Sequence, residues 1–380
     1  MHSTGFDFQP RTRVIFGQDS LERVGELARD FGVRRVLLVT DKGIAAVGHA
    51  GRAVGFLEAA GLKVAVFDAV RENPTTVDVD RCVEVAKREA SELLIGLGGG
   101  SSMDTAKGCN FILTNGGRIQ DYWGIGKAAN PMLPLIAIPT TAGTGSECQS
   151  FALISDEKTH QKMACGDSKA AAKIAILDPA LTVSQPPRVA ACTGIDALAH
   201  AIETAVTKKR NPLSAMYSRE AFRLCLRGIE QVLADPRDLE ARGRMQLGAA
   251  FAGTAIENSM LGAAHSAANP LTAHYGVVHG QAVGLMLPAV IAFNARDPDA
   301  HDRYLELAVI AGLSSVVELI GEIETILDTA RMRTGLEEYG IKSSDFPQLA
   351  KEAAQQWTAS FNPRPIDAKD FEQLYAEVFA

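Results

Sequence analysis

The residues best placed to do chemistry in this chain are Asp196 and His200, which lie in a segment with helical character. Side chains four residues apart on a helix share one face, with their Cβ atoms about 5–6 Å apart. A carboxylate and an imidazole that converge in this way can hold two positions on one divalent cation. For an isolated pair the alternative is an Asp–His hydrogen bond on a buried face.

Two further histidines, His265 and His279, lie downstream in stretches of small residues. Small neighbours leave room for a group to approach the imidazole rings. With Asp196 and His200 they would provide three imidazoles and one carboxylate, a set that favours Fe²⁺, Zn²⁺, Co²⁺ or Ni²⁺ over Mg²⁺ or Ca²⁺. The set contains no cysteine, which argues against a structural zinc site.

A run of three glycines, Gly98–Gly100, predicts an anion-binding turn at the end of an apolar strand. Without Cβ atoms, the backbone N–H groups of such a turn can approach a diphosphate closely. Ser101 or Ser102 is expected to cap the helix that follows, whose positive end faces the same place. The pattern is neither the G-x-G-x-x-G fingerprint nor a P-loop, and a purely structural turn is the alternative.

Polar groups also follow two other predicted strands. Asp41 comes after the apolar run 36–40, where a carboxylate could accept hydrogen bonds from a ribose diol and repel a 2′-phosphate. The loop 140–147 follows the run 135–139 and is rich in hydroxyls and glycine, which suits hydrogen bonding to phosphate, ribose and amide groups. Each feature alone is common in proteins, and Asp41 alone could be an ordinary turn residue. The loop 140–147 and the glycine turn support each other, because they lie at two strand ends of one sheet.

The elements that must position these groups alternate between strand and helix in the N-terminal half. Helical spacing predicts helices at 50–60 and 77–90, and apolar, β-branched runs predict strands at 36–40, 63–67 and 93–97. Such alternation predicts a parallel sheet with right-handed crossovers, and such sheets bind ligands at the carboxyl ends of their strands.

Strand patterns fade after about residue 187. Helical spacing and many alanines continue through the segments 212–234, 241–259 and 301–335. We therefore expect an α/β domain over residues 1–184 and an all-α domain over residues 185–380.

The composition is that of an ordinary globular protein, with 47% hydrophobic and 22% charged residues over 380 positions. A net charge of −7 leaves no basic surplus to neutralise nucleic acid or an anionic membrane. No uninterrupted apolar run reaches the roughly 18 residues of a membrane span, and residues 1–10 lack a signal-peptide pattern. The six scattered cysteines are expected to be reduced, mostly buried thiols of a cytoplasmic protein.

Taken in order, these motifs resemble those of the iron-containing (group III) alcohol dehydrogenases. The similarity runs from Val14-Ile15-Phe16-Gly17 to Asn362-Pro363-Arg364-Pro365 and includes Gly98–Ser101, Pro139–Glu147, Asp196-x-x-x-His200 and the later histidine pair. The resemblance implies a Rossmann-like, dinucleotide-binding α/β domain, a helical metal-binding domain and a metal in the cleft between them. It also implies a homodimer or a higher homo-oligomer.

The same resemblance assigns roles to residues. It implies that the metal ligands, and with them the catalytic centre, are Asp196, His200, His265 and His279. The residues implied to lie near the nicotinamide cofactor are Asp41, Asn73, Gly98, Gly99, Gly100, Ser101, Ser102, Thr140, Thr141, Ser146, Lys162 and Leu181. Asp41 in this place is similar to family members that prefer NAD over NADP.

The chain departs from the family pattern at two places. Many members carry a second histidine four residues after the first of the later pair, as a candidate proton relay, but this chain has Asn269 there. An amide cannot take up a proton near neutral pH, so proton release would use water, the cofactor ribose or another group such as His274. After Glu147 the usual Val-Thr is replaced by Cys148-Gln149, which can alter the nicotinamide end of the pocket.

The function expected from these features is metal-dependent, NAD-linked interconversion of an alcohol and an aldehyde or ketone. The metal, Fe²⁺ or another divalent transition ion such as Zn²⁺, would act as a Lewis acid on the substrate oxygen, and NAD would carry the hydride. One alternative is a hydroxyacid–oxoacid transhydrogenase, in which NAD stays bound. A dehydroquinate-synthase-like lyase is disfavoured because residues 191–206 contain no lysine or arginine. A non-enzymatic protein of the same fold is disfavoured because all four ligand positions are filled.

Overall fold

The computed structural model describes residues 5–159 and 161–379. These residues form two compact units: Gln9–Gln185 makes up one, and residues 5–8 together with residues 186–379 make up the other. The strands, all in the first unit, are β1 (Arg13–Phe16), β2 (Arg35–Val39), β3 (Lys63–Phe67), β4 (Leu93–Gly98), β5 (Gly124–Ile125), β6 (Leu135–Pro139), β7 (Phe151–Ser155), β8 (Lys162–Gly166) and β9 (Ile174–Leu177).

Six of these strands form one parallel sheet in the order β1-β9-β6-β4-β2-β3. Along the chain, β2 turns outward to β3, and the next strand, β4, returns to the other side of β2. The carboxyl ends of β2 and β4 therefore flank the switch point of the sheet, which is where open α/β sheets bind their ligands. The predicted parallel sheet is confirmed.

The helices of this unit cover the sheet. They are α1 (Val24–Arg29), α2 (Lys42–Ala46), α3 (His49–Ala59), α4 (Thr76–Arg88), α5 (Gly100–Asn115) and α6 (Pro179–Thr182). Strand β2 shows the packing clearly: Leu37 and Val39 belong to one buried hydrophobic cluster, and Val36 and Leu38 belong to another. A strand buried on both faces explains why its sequence is a continuous apolar run rather than an alternating pattern.

Among the described residues of the second unit, the regular elements are all helices. Its helices are α7 (Pro187–Val206), α8 (Pro212–Ala234), α9 (Leu239–Asn258), α10 (Ala263–Tyr275), α11 (His279–Asn294), α12 (Pro298–Ala311), α13 (Val316–Thr329), α14 (Phe346–Gln355) and α15 (Ala368–Glu377). Helix α7 is long and apolar enough to cross a membrane by composition, but 83% of its most apolar window is buried inside the structure. It is therefore a central core helix.

Two features of the fold differ from the sequence-based expectation. The helical segment expected over 301–335 is broken into α12 and α13, which are bent by 60°. Gly312 ends α12 with a φ of 82°, and the Ser315 side chain accepts from the backbone of Glu318 to start α13. The first unit also contains a second sheet of three strands, β5-β8-β7, that the sequence did not reveal.

Candidate functional site

Helix α7 places three ionisable side chains on one buried face: Asp196, His200 and Glu203. They lie at positions i, i+4 and i+7, the spacing at which helical side chains stack above one another. The other two histidines come from neighbouring helices, since His265 lies in the first turn of α10 and His279 is the first residue of α11.

A close helix contact explains the glycine that follows His279. A Cβ on Gly280 would lie only 2.0 Å from the carbonyl oxygen of Cys192 in α7. The start of α11 can therefore approach α7 this closely only without a side chain at position 280. The small residue beside His279 makes room for a helix, rather than for a ligand as the sequence had suggested.

The four residues expected to bind a metal converge on one oxygen. The Nε2 atoms of His200, His265 and His279 lie 3.5, 3.4 and 3.8 Å from Oδ1 of Asp196. The rings of His200 and His265 are stacked with centroids 4.7 Å apart, and those of His265 and His279 are 5.4 Å apart. One ligand atom from each of Asp196, His265 and His279 lies within 4.8 Å of the other two.

The buried carboxylates of this cluster favour a positive charge beside them. Burial opposes ionisation of Asp196, but the imidazoles of His200, His265 and His279 outweigh it and hold the pKa of the carboxyl well below its usual range. Burial likewise opposes a charge on His265, but Glu203 and Asp196 raise the pKa of His265 to about 9. A divalent cation would satisfy the same demand for positive charge.

The donor atoms also fit a transition metal. Asp196 Oδ1 and His265 Nε2 are buried and form no hydrogen bond of regular geometry, although they face each other. Buried polar atoms in that state are rare and require an explanation, such as an ion. Imidazole nitrogens with one carboxylate oxygen suit iron, zinc, cobalt or nickel.

Glu203 is a residue of this site that the sequence analysis missed. Its Oε2 lies 2.5 Å from Nδ1 of His265, and its Oε1 accepts a hydrogen bond of 2.7 Å from the backbone N–H of Ala264. A signal was available: an acidic residue on the apolar face of α7, seven positions after Asp196, is unlikely to be buried without a partner. The chain alone could not show that this partner is His265.

The candidate relay positions lie on α10. Asn269, one turn after His265, donates an amide hydrogen bond of 3.1 Å to Gln356. His274 lies nine residues after His265, about half a turn out of phase on the helix, and its Nε2 is 2.6 Å from Glu352. The structure therefore places His274 on the face of α10 opposite His265.

The glycine turn and Asp41 meet at the switch point of the large sheet. Gly98 has a φ of +148°, and a Cβ there would lie 2.5 Å from Ser102 Oγ and 3.4 Å from Asp41 Oδ2. The other oxygen of Asp41 accepts a hydrogen bond of 3.0 Å from the Ile44 N–H and caps α2. One carboxylate oxygen thus holds a helix, and the second faces the turn.

The expectation that a serine caps the helix after this turn is wrong. Helix α5 begins at Gly100 with Gly99 as its N-cap, and no side chain accepts a cap hydrogen bond. The glycines themselves form the turn, so Ser101 and Ser102 fall inside the first turn of the helix. The buried Ser102 Oγ has no hydrogen-bond partner.

The loop after β6 lies against the same turn. Thr140 donates its N–H to the carbonyl of Gly98 at 3.0 Å, and a Cβ on Gly99 would touch the Thr141 methyl group at 3.4 Å. These contacts join the carboxyl ends of β4 and β6, and the approach of Asp41 to Gly98 adds the end of β2. The backbone and hydroxyl groups gathered here could hold a diphosphate and a ribose.

Ser146, further along this loop, is held by a buried ionic network. Lys107 Nζ lies 2.7 Å from both the carbonyl oxygen and Oγ of Ser146. The Ser146 hydroxyl donates to Asp104 at 2.7 Å. Burial raises the pKa of Asp104, against the lowering effect of Lys107 and Ser146. The network ties the loop to α5.

The remaining residues implied for the cofactor lie elsewhere in this unit. Asn73 is exposed in the turn before α4, with a φ of 51°. Lys162 is the exposed first residue of β8 in the small sheet. Leu181 in α6 is fully buried in the hydrophobic core, so its side chain offers no surface to a ligand in this structure.

A pH-dependent stability follows from Glu147. Burial raises the pKa of this carboxyl from 4.5 to about 7, so the folded chain holds a proton that the unfolded chain releases. The contribution of this proton to the free energy of unfolding is complete below about pH 4.5. It is lost as the pH rises towards 7, and the loss amounts to up to about 3 kcal/mol. We expect Glu147→Gln to remove this loss, so its advantage in free energy of unfolding over the parent grows between pH 4.5 and 7 and then levels off.

Urea unfolding of both proteins from pH 4.5 to 8 measures this effect. The exposed Glu58→Gln in α3 serves as the matched control and should show no such growth. A Glu147→Gln effect that is constant over the whole pH range would contradict the expectation.

Both the N-terminal and the C-terminal part of the chain are similar to known proteins. Residues 10–179 match the family model described as iron-containing alcohol dehydrogenase, and residues 190–379 match the model described as the C-terminal part of the Fe-containing alcohol dehydrogenase family. Alcohol dehydrogenase 4 of Schizosaccharomyces pombe is 34% identical over 351 residues, covering 92% of this chain and 83% of that protein. The NAD-dependent methanol dehydrogenase of Bacillus methanolicus is 34% identical over 373 residues, covering 97% and 98%.

A solved structure matches along the whole length. The crystal structure of a 1,3-propanediol oxidoreductase superposes with a TM-score of 0.94 at 32% identity, covering 99% of this chain and 100% of that one. The chain is thus an oxidoreductase of the alcohol dehydrogenase class. More narrowly, it belongs to the iron-containing alcohol dehydrogenase family, as the order of its motifs had indicated.

Proposed function

We propose that this chain catalyses the reversible, NAD-linked oxidation of a small alcohol to an aldehyde or ketone at a divalent transition metal. The metal ligands would be Asp196, His200, His265 and His279. The observation that supports this most is the convergence of three imidazole Nε2 atoms within 3.4–3.8 Å of one buried carboxylate oxygen. Fe²⁺ is the metal we propose, and Zn²⁺ suits the same donors.

The reactive chemistry would come from the bound metal and the bound cofactor. A bound metal of this kind supplies a Lewis acid for the substrate oxygen, and a bound nicotinamide supplies the hydride acceptor or donor. The residues of the chain would bind the metal and the cofactor and orient the substrate. Asp196 and the three histidines would fix the position of the metal, and Asp41 would accept hydrogen bonds from the ribose. The residues proposed to hold the rest of the cofactor are Asn73, Gly98, Gly99, Gly100, Ser101, Ser102, Thr140, Thr141, Ser146 and Lys162. Leu181 is left out because its side chain is fully buried in the hydrophobic core.

Proton release is proposed to use water. Asn269, one turn after His265 on α10, carries no titratable atom, and the Nε2 atom of His274 on the opposite face of α10 lies 2.6 Å from Glu352. Neither residue can therefore collect the alcohol proton at the metal.

The substrate class we propose is small primary alcohols and diols, because relatives act on methanol and 1,3-propanediol by name. The test is a screen of NADH formation, followed by absorbance, over primary alcohols, diols and hydroxy acids with Fe²⁺, Zn²⁺ and Ni²⁺ loaded in turn. Net NADH formation supports a dehydrogenase. Hydride exchange between two substrates without net NADH would show a transhydrogenase instead, and no activity in a metal-loaded protein that binds NAD would defeat the proposal.

We further propose a homodimer or a higher homo-oligomer in the cytoplasm. Strand β1 is an edge of the large sheet and exposes Val14 and Phe16, and an edge strand of this kind can pair with another chain. All six cysteines fall within the described residues, and none of them forms a disulfide, as a reducing compartment would favour. Light scattering coupled to size-exclusion chromatography gives the assembly state.

Cofactor preference is expected to depend on Asp41. A serine at this position can still cap α2, but it removes the negative charge that would repel a 2′-phosphate. We expect Asp41→Ser to lower kcat/KM with NAD about 10- to 100-fold, the loss of hydrogen bonds to a charged group, and to raise kcat/KM with NADP. Steady-state kinetics with both cofactors measures the ratio. The exposed Asp30→Ser is the matched control, and an unchanged ratio for Asp41→Ser would rule out this role.

A further inference from the structure

We propose that Glu203 is the positioning residue of the metal centre, because it fixes both the tautomer and the orientation of His265. This inference rests on the proposed function, since it concerns how one of the four metal ligands is presented. Glu203 does not touch substrate or cofactor in this scheme. It acts only through the imidazole that it holds.

The Glu203 carboxylate is itself tightly held. It is 3% exposed, and its Oε1 accepts from the backbone N–H of Ala264 at 2.7 Å. Gly262, the N-cap of α10, lies beside the same carboxylate, since a Cβ on it would be 3.2 Å from Oε1 of Glu203. A negative group at the positive end of α10 is stabilised by the helix dipole as well. These contacts of Oε1 fix the orientation of the carboxylate, and in this orientation Oε2 faces Nδ1 of His265.

The start of α10 is also fixed from a second side. Asn362 Oδ1 accepts from the N–H of Ala263 at 3.2 Å. Asn362 and Asn294 exchange amide hydrogen bonds of 2.7 and 3.1 Å, and Asn294 is the last residue of α11. Side chains from α7, α11 and the C-terminal segment therefore hold the first turn of α10, where His265 lies.

The consequence for His265 is chemical. Its Nδ1 lies 2.5 Å from Glu203 Oε2, and a carboxylate can only accept a hydrogen bond there. In the neutral imidazole that binds a metal, the one proton is therefore on Nδ1. The lone pair of Nε2, whose atom lies 3.4 Å from Asp196 Oδ1, is then free for the metal. A carboxylate behind a ligating histidine fixes its tautomer and increases its basicity, and removing such a partner costs about 10- to 100-fold in metal affinity.

A helix-capping role alone would explain the Ala264 contact but not the His265 contact, and one substitution separates the two. In Glu203→Gln the amide oxygen can still accept from the N–H of Ala264, so the cap is kept. The amide NH₂ group then takes the place of Oε2 and can only donate a hydrogen bond. Nδ1 of His265 must therefore accept that bond, so it can no longer carry the imidazole proton. The imidazole proton moves to Nε2, where the metal should bind.

The experiment titrates Co²⁺ into the metal-free full-length chain, with visible absorption as the readout and a chelator as competitor. We expect Glu203→Gln to bind Co²⁺ about 10- to 100-fold more weakly than the parent, with an altered spectrum, while the metal-free forms unfold at similar temperatures. Glu318→Gln is the matched control, because Glu318 also accepts a backbone N–H at a helix start, from Ser314 at 2.8 Å. It should bind Co²⁺ as the parent does.

The outcomes distinguish the inference from the proposed function. If the parent itself fails to bind Co²⁺, Fe²⁺ or Zn²⁺, the proposed function is wrong and this inference is wrong with it. If the parent binds and a folded Glu203→Gln binds equally well, only the role of Glu203 is overturned. Should Glu203→Gln not fold, Glu203→Asp decides: its shorter carboxylate cannot span both contacts, so unchanged Co²⁺ affinity overturns the proposal and weakened affinity supports it.

Discussion

Asp196→Ala and His265→Ala are each expected to abolish turnover while leaving NAD binding intact. Each substitution removes one of four donors that meet at a single point, and Asp196 supplies the oxygen around which all three imidazoles gather. Loss of Lewis-acid assistance removes several kcal/mol of transition-state stabilisation. At 1.36 kcal/mol for each factor of ten, kcat should fall by about 10³-fold or more.

Two measurements test this expectation together. Bound metal, determined by elemental analysis, should fall with kcat, whereas the dissociation constant for NAD should stay within about threefold of the parent, because the residues proposed to hold NAD belong to the other unit. The exposed pair His301 and Asp302 on α12 provides matched controls of the same residue types. Full activity in either ligand variant, or normal metal content with no activity, could not be reconciled with the proposed metal centre.

The site residues that could be predicted from the sequence were those whose neighbours in space are also close to them along the chain. Asp196 and His200 are four residues apart on one helix, and Gly98–Gly100 follows a continuous apolar run that is typical of a buried parallel strand. In both cases the spacing along the chain already determines which groups share a face or a strand end. The alternation of strands and helices predicted the sheet for the same reason.

The features that the sequence did not predict depend on contacts between segments that are distant along the chain. The sheet order, which brings the ends of β2 and β4 together, is a property of the crossovers and not of any one strand. Glu203 gains its role from α10, some 60 residues further along. The capping serine was wrongly expected because serine is a good N-cap in general, whereas the turn here starts its helix on glycine.

Gly98→Ala is expected to have the largest effect in the first unit. The backbone at this position has a φ of +148°, which L-residues with a side chain rarely adopt, and the new Cβ would lie 2.5 Å from Ser102 Oγ. The strain is worth about 1–3 kcal/mol, and relieving it must move the turn that faces Asp41. We expect the dissociation constant for NAD to rise about tenfold or more, with a fall in the free energy of unfolding of this unit.

The matched control for this change is Gly55→Ala in α3. Its Cβ would meet nothing within 4 Å, and alanine is preferred to glycine inside a helix by about 0.5–1 kcal/mol. Gly55→Ala should therefore keep NAD affinity and slightly raise stability. Calorimetric titration with NAD and urea unfolding of both variants make the comparison, with metal content as the internal reference. If Gly98→Ala binds NAD as tightly as Gly55→Ala does, the turn after β4 is a structural bend and the diphosphate must be held elsewhere. If Gly98→Ala instead loses its metal together with its NAD, the damage has spread through the whole chain and the loss of affinity cannot be assigned to the turn.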